Sequence, residues 1–358
     1  MDYRRIAILC LAGSLLLGCS AQALIFTPTA PPTPTPAWTA RPPSPTPTPE
    51  ATAMPTSVPS PVATATPDPY TGLTIADLAA RSYGGGELQI AQILEENSLF
   101  TRYLVVYPSD GLNIFGFMDV PAGEGPFPVV ITVHGYVEPA IYRTLTYTTH
   151  YADALARAGY VAIHPNLRGY GDSMDGPNLF RVGFAVDVLN LAALVRAQGG
   201  QPGPLERADP GRIGLWGHSM GGGITIRAIT VDPGIRADLM YGAMNGDEAL
   251  NAERIYNYFS NQTRGIEELN TPAEDLLRIS PIYYLDRIQA AVSIHHGEAD
   301  GEVPPQWSQD LCSRLVALNK PVECFTYPGQ GHTFSGDEDA LFIQRMVDFF
   351  DRTLKVNP

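Results

Sequence analysis

Six runs of consecutive apolar residues, most of them β-branched, follow one another between residues 129 and 327. They cover 129–133, 160–163, 213–216, 239–243, 291–294 and 322–327. Continuous apolar runs of this length are typical of strands that are buried on both faces, as in a parallel sheet. Between the runs, apolar residues recur at helical spacing, for example at Phe184, Val188, Leu191 and Val195. This alternation predicts an α/β domain: a mostly parallel, doubly wound sheet with right-handed crossovers and helices on both faces.

Two other segments extend this picture. Runs 102–107 and 113–120 flank the turn sequence Pro108-Ser109-Asp110-Gly111 and predict an antiparallel hairpin ahead of the parallel strands. Residues 245–286 are helix-prone and carry Tyr256, Tyr258, Phe259, Tyr283 and Tyr284. We expect this insertion to form a short lid whose tyrosines give apolar walls with polar tips. It holds no evident basic cluster, which argues against a strongly anionic substrate.

The pattern of charged and apolar residues in the first 18 positions predicts an export signal. Arg4 and Arg5 precede an apolar run at 6–17, which is too short to span a bilayer but suits the core of a signal peptide. The run ends in Leu16-Leu17-Gly18-Cys19, which resembles the lipobox of bacterial lipoproteins. We therefore expect lipid on Cys19 and an exported protein anchored at the cell surface or in the periplasm. An ordinary secretory signal with a chance cysteine is the alternative.

The composition of residues 19–70 predicts an extended stalk. Residues 27–70 contain 15 of the 33 prolines of the chain, with few charges among threonine, serine and alanine. Such a composition cannot bury enough apolar surface to offset the entropy of ordering, and proline keeps it extended. A docking site for a proline-binding module is the alternative. Residues 71–358 then form one catalytic domain, with its lid at about 245–286.

The charge balance excludes one class of partner. Lys and Arg total 23 against 37 for Asp and Glu, a net charge of -14, and no basic run is present. Binding to nucleic acid requires a basic surface that displaces counterions, so we expect no nucleic-acid partner. The spacing of His, Cys and acidic residues also matches no common metal motif, and we expect neither a metal nor a cofactor.

Gly217-His218-Ser219-Met220-Gly221 matches the nucleophile elbow G-x-S-x-G. A predicted strand leads into this motif and a predicted helix follows, as the elbow requires. Ser219 is the candidate nucleophile, and Gly217 and Gly221 leave room for the tight turn. We expect the side chain of His218 to point away from that of Ser219. A glycine-rich strand–helix turn without chemistry is the alternative.

The candidate base and acid lie on two later loops. His332 follows the last predicted strand in a glycine-rich loop, at the edge where open α/β sheets bind ligands. Asp300 follows the preceding strand and would fix the tautomer of that histidine, with Glu298 as the rival acid. The order Ser219, Asp300, His332 is the order that this fold requires. The backbone N–H groups of Met220 and Tyr136 are the candidate oxyanion donors.

Cys312 and Cys324 are expected to form a disulfide. The helix that carries Cys312 should end near Leu318, and the strand that carries Cys324 should start near Pro321. Counting back along the helix and forward along the strand brings the two cysteines level on neighbouring elements. The exported location that we expect also permits disulfides.

Residues 102–354 resemble the catalytic domain of the prolyl oligopeptidase (S9) family and related esterases. The matching segments are Val133-His134-Gly135, Asn166-Leu167-Arg168-Gly169-Tyr170-Gly171-Asp172-Ser173, Trp216-Gly217-His218-Ser219-Met220-Gly221-Gly222, Ser280-Pro281-Ile282, His296-Gly297-Glu298-Ala299-Asp300 and Tyr327-Pro328-Gly329-Gln330-Gly331-His332. The resemblance implies an α/β-hydrolase fold, with the nucleophile, acid and base of the family at Ser219, Asp300 and His332. Two departures are the stalk where such peptidases carry a β-propeller, and Tyr136 where many relatives have a second glycine.

These features predict a serine hydrolase that forms an acyl-enzyme on small or medium esters. The alternatives are an S9-type peptidase acting on short peptides, a catalytically silent binding protein on a hydrolase scaffold, and a haloperoxidase or lyase with the same fold. Loss of a catalytic residue would favour the silent protein, but Ser219, Asp300 and His332 are all present.

Overall fold

The computed structural model describes residues 67–356, so the export signal, Cys19 and nearly all of the stalk lie outside the described residues. The strands are β1 Gln89–Glu96, β2 Phe100–Ser109, β3 Leu112–Pro121, β4 Phe127–Val133, β5 Val161–Pro165, β6 Ala208–His218, β7 Ala237–Tyr241, β8 Ala291–Gly297 and β9 Val322–Tyr327. The α-helices are α1 Ile75–Ala80, α2 Thr149–Arg157, α3 Val182–Gln198, α4 Met220–Val231, α5 Glu248–Arg254, α6 Ile266–Leu269, α7 Ala273–Ile279, α8 Pro305–Ala317 and α9 Asp337–Phe350.

The strands form one sheet in the order β1-β2-β3-β5-β4-β6-β7-β8-β9. The first three strands are antiparallel to their neighbours, and every pair from β5 to β9 is parallel. The predicted hairpin and the predicted doubly wound parallel sheet are therefore both confirmed.

Alternate residues of the central strands pack into two separate hydrophobic cores. In β4, Val129 and Ile131 pack with residues of α3 and α4, whereas Val130 packs with residues of α2 and α9. Successive side chains of a strand point to opposite faces, so helices cover both faces of the sheet. This double burial explains why the strand runs are continuously apolar.

Residues immediately before the predicted boundary at residue 71 also contact the domain. Asp68 forms an ion pair of 2.8 Å with Arg278, and the ring of Tyr70 lies 6.4 Å from that of Phe180. Strand β1 was not predicted, because it is an edge strand with an almost fully exposed side-chain pattern. An exposed edge strand lacks the apolar signal on which strand prediction depends.

Two features follow β7. Helices α5, α6 and α7, with a turn of π-helix at Ile255–Phe259, occupy the segment predicted as a lid. Farther on, Cys312 of α8 and Cys324 of β9 are joined by a disulfide, with Cα atoms 6.4 Å apart. Within residues 67–356, no helix combines the length and the apolar character that crossing a bilayer demands.

Candidate active site

Ser219 occupies the sharp turn between β6 and α4. Its backbone has φ 56° and ψ −119°, a conformation that non-glycine residues seldom adopt. The turn is held by its own backbone, because Ser219 N–H donates to Tyr241 O and Ser219 O accepts from Gly222 and Met244 N–H. Strain of this kind persists only where the surroundings fix it, and it is common at functional sites.

The glycines around Ser219 lie where a side chain would collide. A β carbon at Gly217 would lie 2.6 Å from Gly221 O, and one at Gly221 would lie 2.1 Å from Val133 O. A β carbon at Gly222 would lie 2.3 Å from that of Ala243. The elbow therefore packs against the ends of β4 and β7 at distances that only glycine permits.

Asp300 accepts hydrogen bonds on both carboxylate oxygens. His332 Nδ1 lies 2.8 Å and His296 Nε2 lies 3.0 Å from Oδ2, while the N–H groups of Glu302 and Val303 donate to Oδ1 at 2.8 and 2.9 Å. Burial acts to raise the pKa of Asp300, but the hydrogen bonds from His296, His332 and Val303 outweigh it and hold that pKa below its usual value. Asp300 is therefore an ionised acceptor for His332, whereas Glu298 is exposed and accepts from Thr326 instead.

His332 and Ser219 line the same cavity. Within residues 67–356, no direct hydrogen bond joins Ser219 Oγ to His332. Such catalytic hydrogen bonds often tighten only when substrate is bound. The Nε2 atom of His332 is also 3.7 Å from a carboxylate oxygen of Glu302. The ring is thus fixed at Nδ1, and Nε2 is directed toward the cavity side of the loop.

The side chain of His218 lies beside His332 and lines the same cavity. Its ring lies 4.6 Å from the ring of His332, and its Nε2–H donates to His332 O at 2.9 Å. Its Nδ1 accepts from the hydroxyl of Tyr147 at 2.6 Å. Burial, and to a lesser extent the charge on His332, lower the pKa of His218 to about 3, so this ring stays neutral in the tautomer that these contacts require.

The loop after β4 passes beside Ser219. A β carbon at Gly135 would lie 2.1 Å from the Tyr147 hydroxyl oxygen and 2.9 Å from Ser219 Cβ. Within the described residues, the backbone N–H groups of Tyr136 and Met220 donate to no protein acceptor. Both candidate oxyanion donors are therefore unoccupied. The side chain of Tyr136 lies outward and donates to Glu138 at 2.7 Å.

The cavity has a volume of about 1110 Å³ and lies at the carboxyl ends of the parallel strands. The predicted lid contributes Ile255, Phe259, Ser260, Thr263, Arg264 and Glu268 to its lining. Of the five lid aromatic residues singled out above, Phe259 alone lines it in the described structure, whereas Tyr258 and Tyr283 are about half exposed.

Three arginines line the cavity although the sequence suggested no basic cluster. Each is engaged by a carboxylate: Arg168 by Asp187 at 2.8 Å, Arg181 by Glu268 at 2.9 Å, and Arg264 by Glu138 at 2.9 Å. Because their charges are compensated, these arginines do not make the cavity positive. Their partners are distant in sequence, so the pairing carried no local signal.

Two family models match overlapping parts of the chain. The prolyl oligopeptidase family matches residues 204–357, and the α/β hydrolase fold matches residues 128–232. Together with the sheet order and the elbow, these matches decide the class of protein. The chain is a serine hydrolase with the α/β-hydrolase fold.

Known proteins similar to this hydrolase include both peptidases and esterases. The uncharacterized peptidase YuxL of Bacillus subtilis is 25% identical over 63% of this chain, which spans only 34% of the length of YuxL. A probable 2-oxo-3-(5-oxofuran-2-ylidene)propanoate lactonase of Bradyrhizobium is 24% identical over 63% of this chain and 81% of its own length.

Solved structures with a similar fold also include both esterases and peptidases. Acetyl xylan esterase from Paenibacillus sp. R4 superimposes with a TM-score of 0.58 and 20% identity, covering 78% of this chain and 92% of its own. Pyrococcus horikoshii acylaminoacyl peptidase also superimposes with a TM-score of 0.58. It is 19% identical, and the match covers 78% of this chain and 52% of the peptidase chain. These likenesses establish the fold of the hydrolase and leave its substrate class to be argued from the site.

Proposed function

We propose that this hydrolase cleaves small and medium carboxylic esters through an acyl-enzyme on Ser219. The observation that carries the proposal is the hydrogen bond from His332 Nδ1 to the ionised Asp300, in a cavity that also exposes Ser219. This bond leaves Nε2 of His332 as the nitrogen that can take the proton of the serine hydroxyl.

The proposed reaction has two steps. His332 Nε2 takes the proton of Ser219 Oγ, which attacks the ester carbonyl, and the N–H groups of Tyr136 and Met220 stabilise the oxyanion. His332 then gives that proton to the departing alkoxide. A water, deprotonated in the same way, attacks the acyl-enzyme and releases the acid and free Ser219.

A wide cavity and a short lid favour esters over peptides. Alkoxide departure needs less protonation help than amine departure, and no additional upstream domain within residues 67–356 holds a peptide in register. The alternative is an S9-type peptidase acting on short peptides, which the match to the prolyl oligopeptidase family favours.

The test compares one preparation on p-nitrophenyl butyrate and on a panel of short peptides, some containing proline. Ser219→Ala should lower ester turnover at least about 10³-fold while the fold is retained. Asp300→Asn should also be severe, and Glu298→Gln should be mild. Efficient peptide cleavage with negligible ester hydrolysis would establish the peptidase instead.

We also propose that the enzyme is an exported lipoprotein held to a membrane by lipid on Cys19, with residues 20–66 as a spacer. The support is the sequence Leu16-Leu17-Gly18-Cys19 after the apolar run, and the disulfide that the domain carries. Cys19→Ala should release the protein from the membrane fraction or block its processing. Membrane retention of a processed Cys19→Ala protein would contradict the anchor.

A further inference from the structure

Glu302 lies at the point of the cavity where the leaving group must depart. Its carboxylate is 3.7 Å from His332 Nε2, the nitrogen that protonates the leaving group in the proposed reaction. A general acid must come within hydrogen-bond reach of the atom it protonates. Any group attached close to the leaving atom therefore passes near the carboxylate of Glu302.

The loop that carries Glu302 is fixed, although its side chain is 57% exposed. The N–H of Glu302 donates to Asp300 Oδ1 at 2.8 Å, and Arg254 Nε donates to the backbone oxygen of Glu302 at 3.0 Å. Arg254 also lies over the ring of Tyr258 at 3.7 Å, which holds its guanidinium in place. Arg254 is thus committed to backbone oxygens and does not neutralise the Glu302 carboxylate.

No lysine or arginine in the described residues pairs with this carboxylate. The three arginines that line the cavity, Arg168, Arg181 and Arg264, are engaged by Asp187, Glu268 and Glu138. The ion-pair partner recorded for Glu302 in residues 67–356 is His332 alone, which must be neutral to act as a base. The leaving-group side of the cavity therefore presents a carboxylate that forms no direct ion pair with a lysine or arginine of the described residues.

We propose that Glu302 is a specificity-determining residue that selects substrates with a cationic group near the leaving atom, such as esters of amino alcohols. This inference rests on the proposed ester hydrolysis and names its substrate class. The carboxylate would attract an ammonium attached one or two carbons beyond the leaving oxygen or sulfur, and would repel an anionic leaving group.

The test uses three thioesters with the same acetyl group. Acetylthiocholine carries a trimethylammonium, 3,3-dimethylbutyl thioacetate replaces it by a neutral tert-butyl group of the same shape, and S-acetyl 2-mercaptoethanesulfonate is anionic. The quantity measured is the ratio of kcat/KM between substrates for each protein. This ratio cancels any effect of a substitution on the general reactivity of Ser219 or His332.

For the wild type we expect kcat/KM to be about fivefold higher for the cation than for its neutral isostere, the upper range for an exposed ion pair. The anion should be the poorest substrate. Glu302→Gln should bring the cation-to-isostere ratio close to one, and added salt should reduce the wild-type ratio because it screens exposed charges. Asp310→Asn, which removes an exposed negative charge from α8, is the matched control and should leave the ratio unchanged.

A wild-type ratio close to one, or a ratio that Glu302→Gln leaves unaltered, would overturn the assignment of Glu302 while ester hydrolysis itself stood. Failure of the wild type to hydrolyse p-nitrophenyl butyrate would instead contradict the proposed function. The two failures are therefore distinguishable in one set of assays.

Discussion

Asp238, the second residue of β7, is a buried carboxyl group without a hydrogen-bond partner in the described residues. It has no exposed surface, and neither carboxylate oxygen has a hydrogen-bond partner in the described residues. The nearby hydroxyl of Thr225, which would lower its pKa, donates instead to Gly222 O at 3.2 Å. Burial therefore raises the pKa of Asp238 well above its usual value.

Proton linkage gives the direction and the approximate size of the resulting pH dependence of the free energy of unfolding. A group whose pKa is raised by folding binds more protons in the folded state, so the free energy of unfolding falls as pH rises above the unfolded value of 3.8. While the buried carboxyl keeps its proton, the free energy of unfolding falls by roughly 1 kcal/mol for each pH unit.

Asp238→Asn replaces the carboxyl by a neutral amide of nearly the same shape and removes this dependence. We expect its free energy of unfolding, minus that of the wild type, to increase from pH 5 to pH 7, by roughly 1 kcal/mol for each pH unit over which Asp238 of the wild type keeps its proton. Urea titrations at pH 5, 6 and 7 measure it, with Asp310→Asn as a control for loss of a negative charge. A difference between Asp238→Asn and wild type that stays constant with pH would refute the reasoning.

Three further variants test contacts in and around the catalytic domain. Tyr147→Phe leaves Nδ1 of His218 buried without a donor, so we expect kcat for an ester to fall about tenfold with KM little changed; an unchanged kcat would show that this contact does not position the base. Replacing Cys312 and Cys324 by serine opens a link across 12 residues, and chain entropy predicts a loss of about 3 kcal/mol in urea unfolding. Gly222→Ala should displace the elbow and lower both activity and thermal stability; wild-type values for both would contradict the close packing measured there.

The parallel core was predictable because its signal is local. Strands β4 to β8 are buried over most of their length, so their apolar runs could be recognised without knowledge of their neighbours. The hairpin β2–β3 was predictable from its turn residues. Strand β1 was not, because its side chains are exposed and only its backbone is paired.

The contacts of the site were less predictable than its candidate residues. Ser219, Asp300 and His332 each follow a strand in a recognisable loop, and chain order alone suggested that they meet. The role of His218 depends on Tyr147, a residue 71 positions away. His296 likewise lies against Asp300 because the chain turns after β8, where Asp300 N–H donates to Gly297 O at 3.2 Å.

The seven histidines differ most in how their two ring nitrogens are used, and this difference supports His332 as the base. Within the described residues, both nitrogens of His134, His164, His218, His295 and His296 contact protein acceptors or donors. His150 has one nitrogen at Asp339, but its side chain is 62% exposed.

A base must combine a fixed nitrogen with a free one. His332 does so, because Nδ1 is held by Asp300 and the side chain is only 10% exposed. His150 and Asp339 form a similar pair on the same cavity, but His150 is exposed to solvent, and Asp339 lacks the four hydrogen-bond donors that keep Asp300 ionised. Solvent competes for an exposed pair and leaves its orientation weakly determined. The burial of the Asp300–His332 pair, more than its chemistry, is therefore what separates the proposed base from its nearest rival.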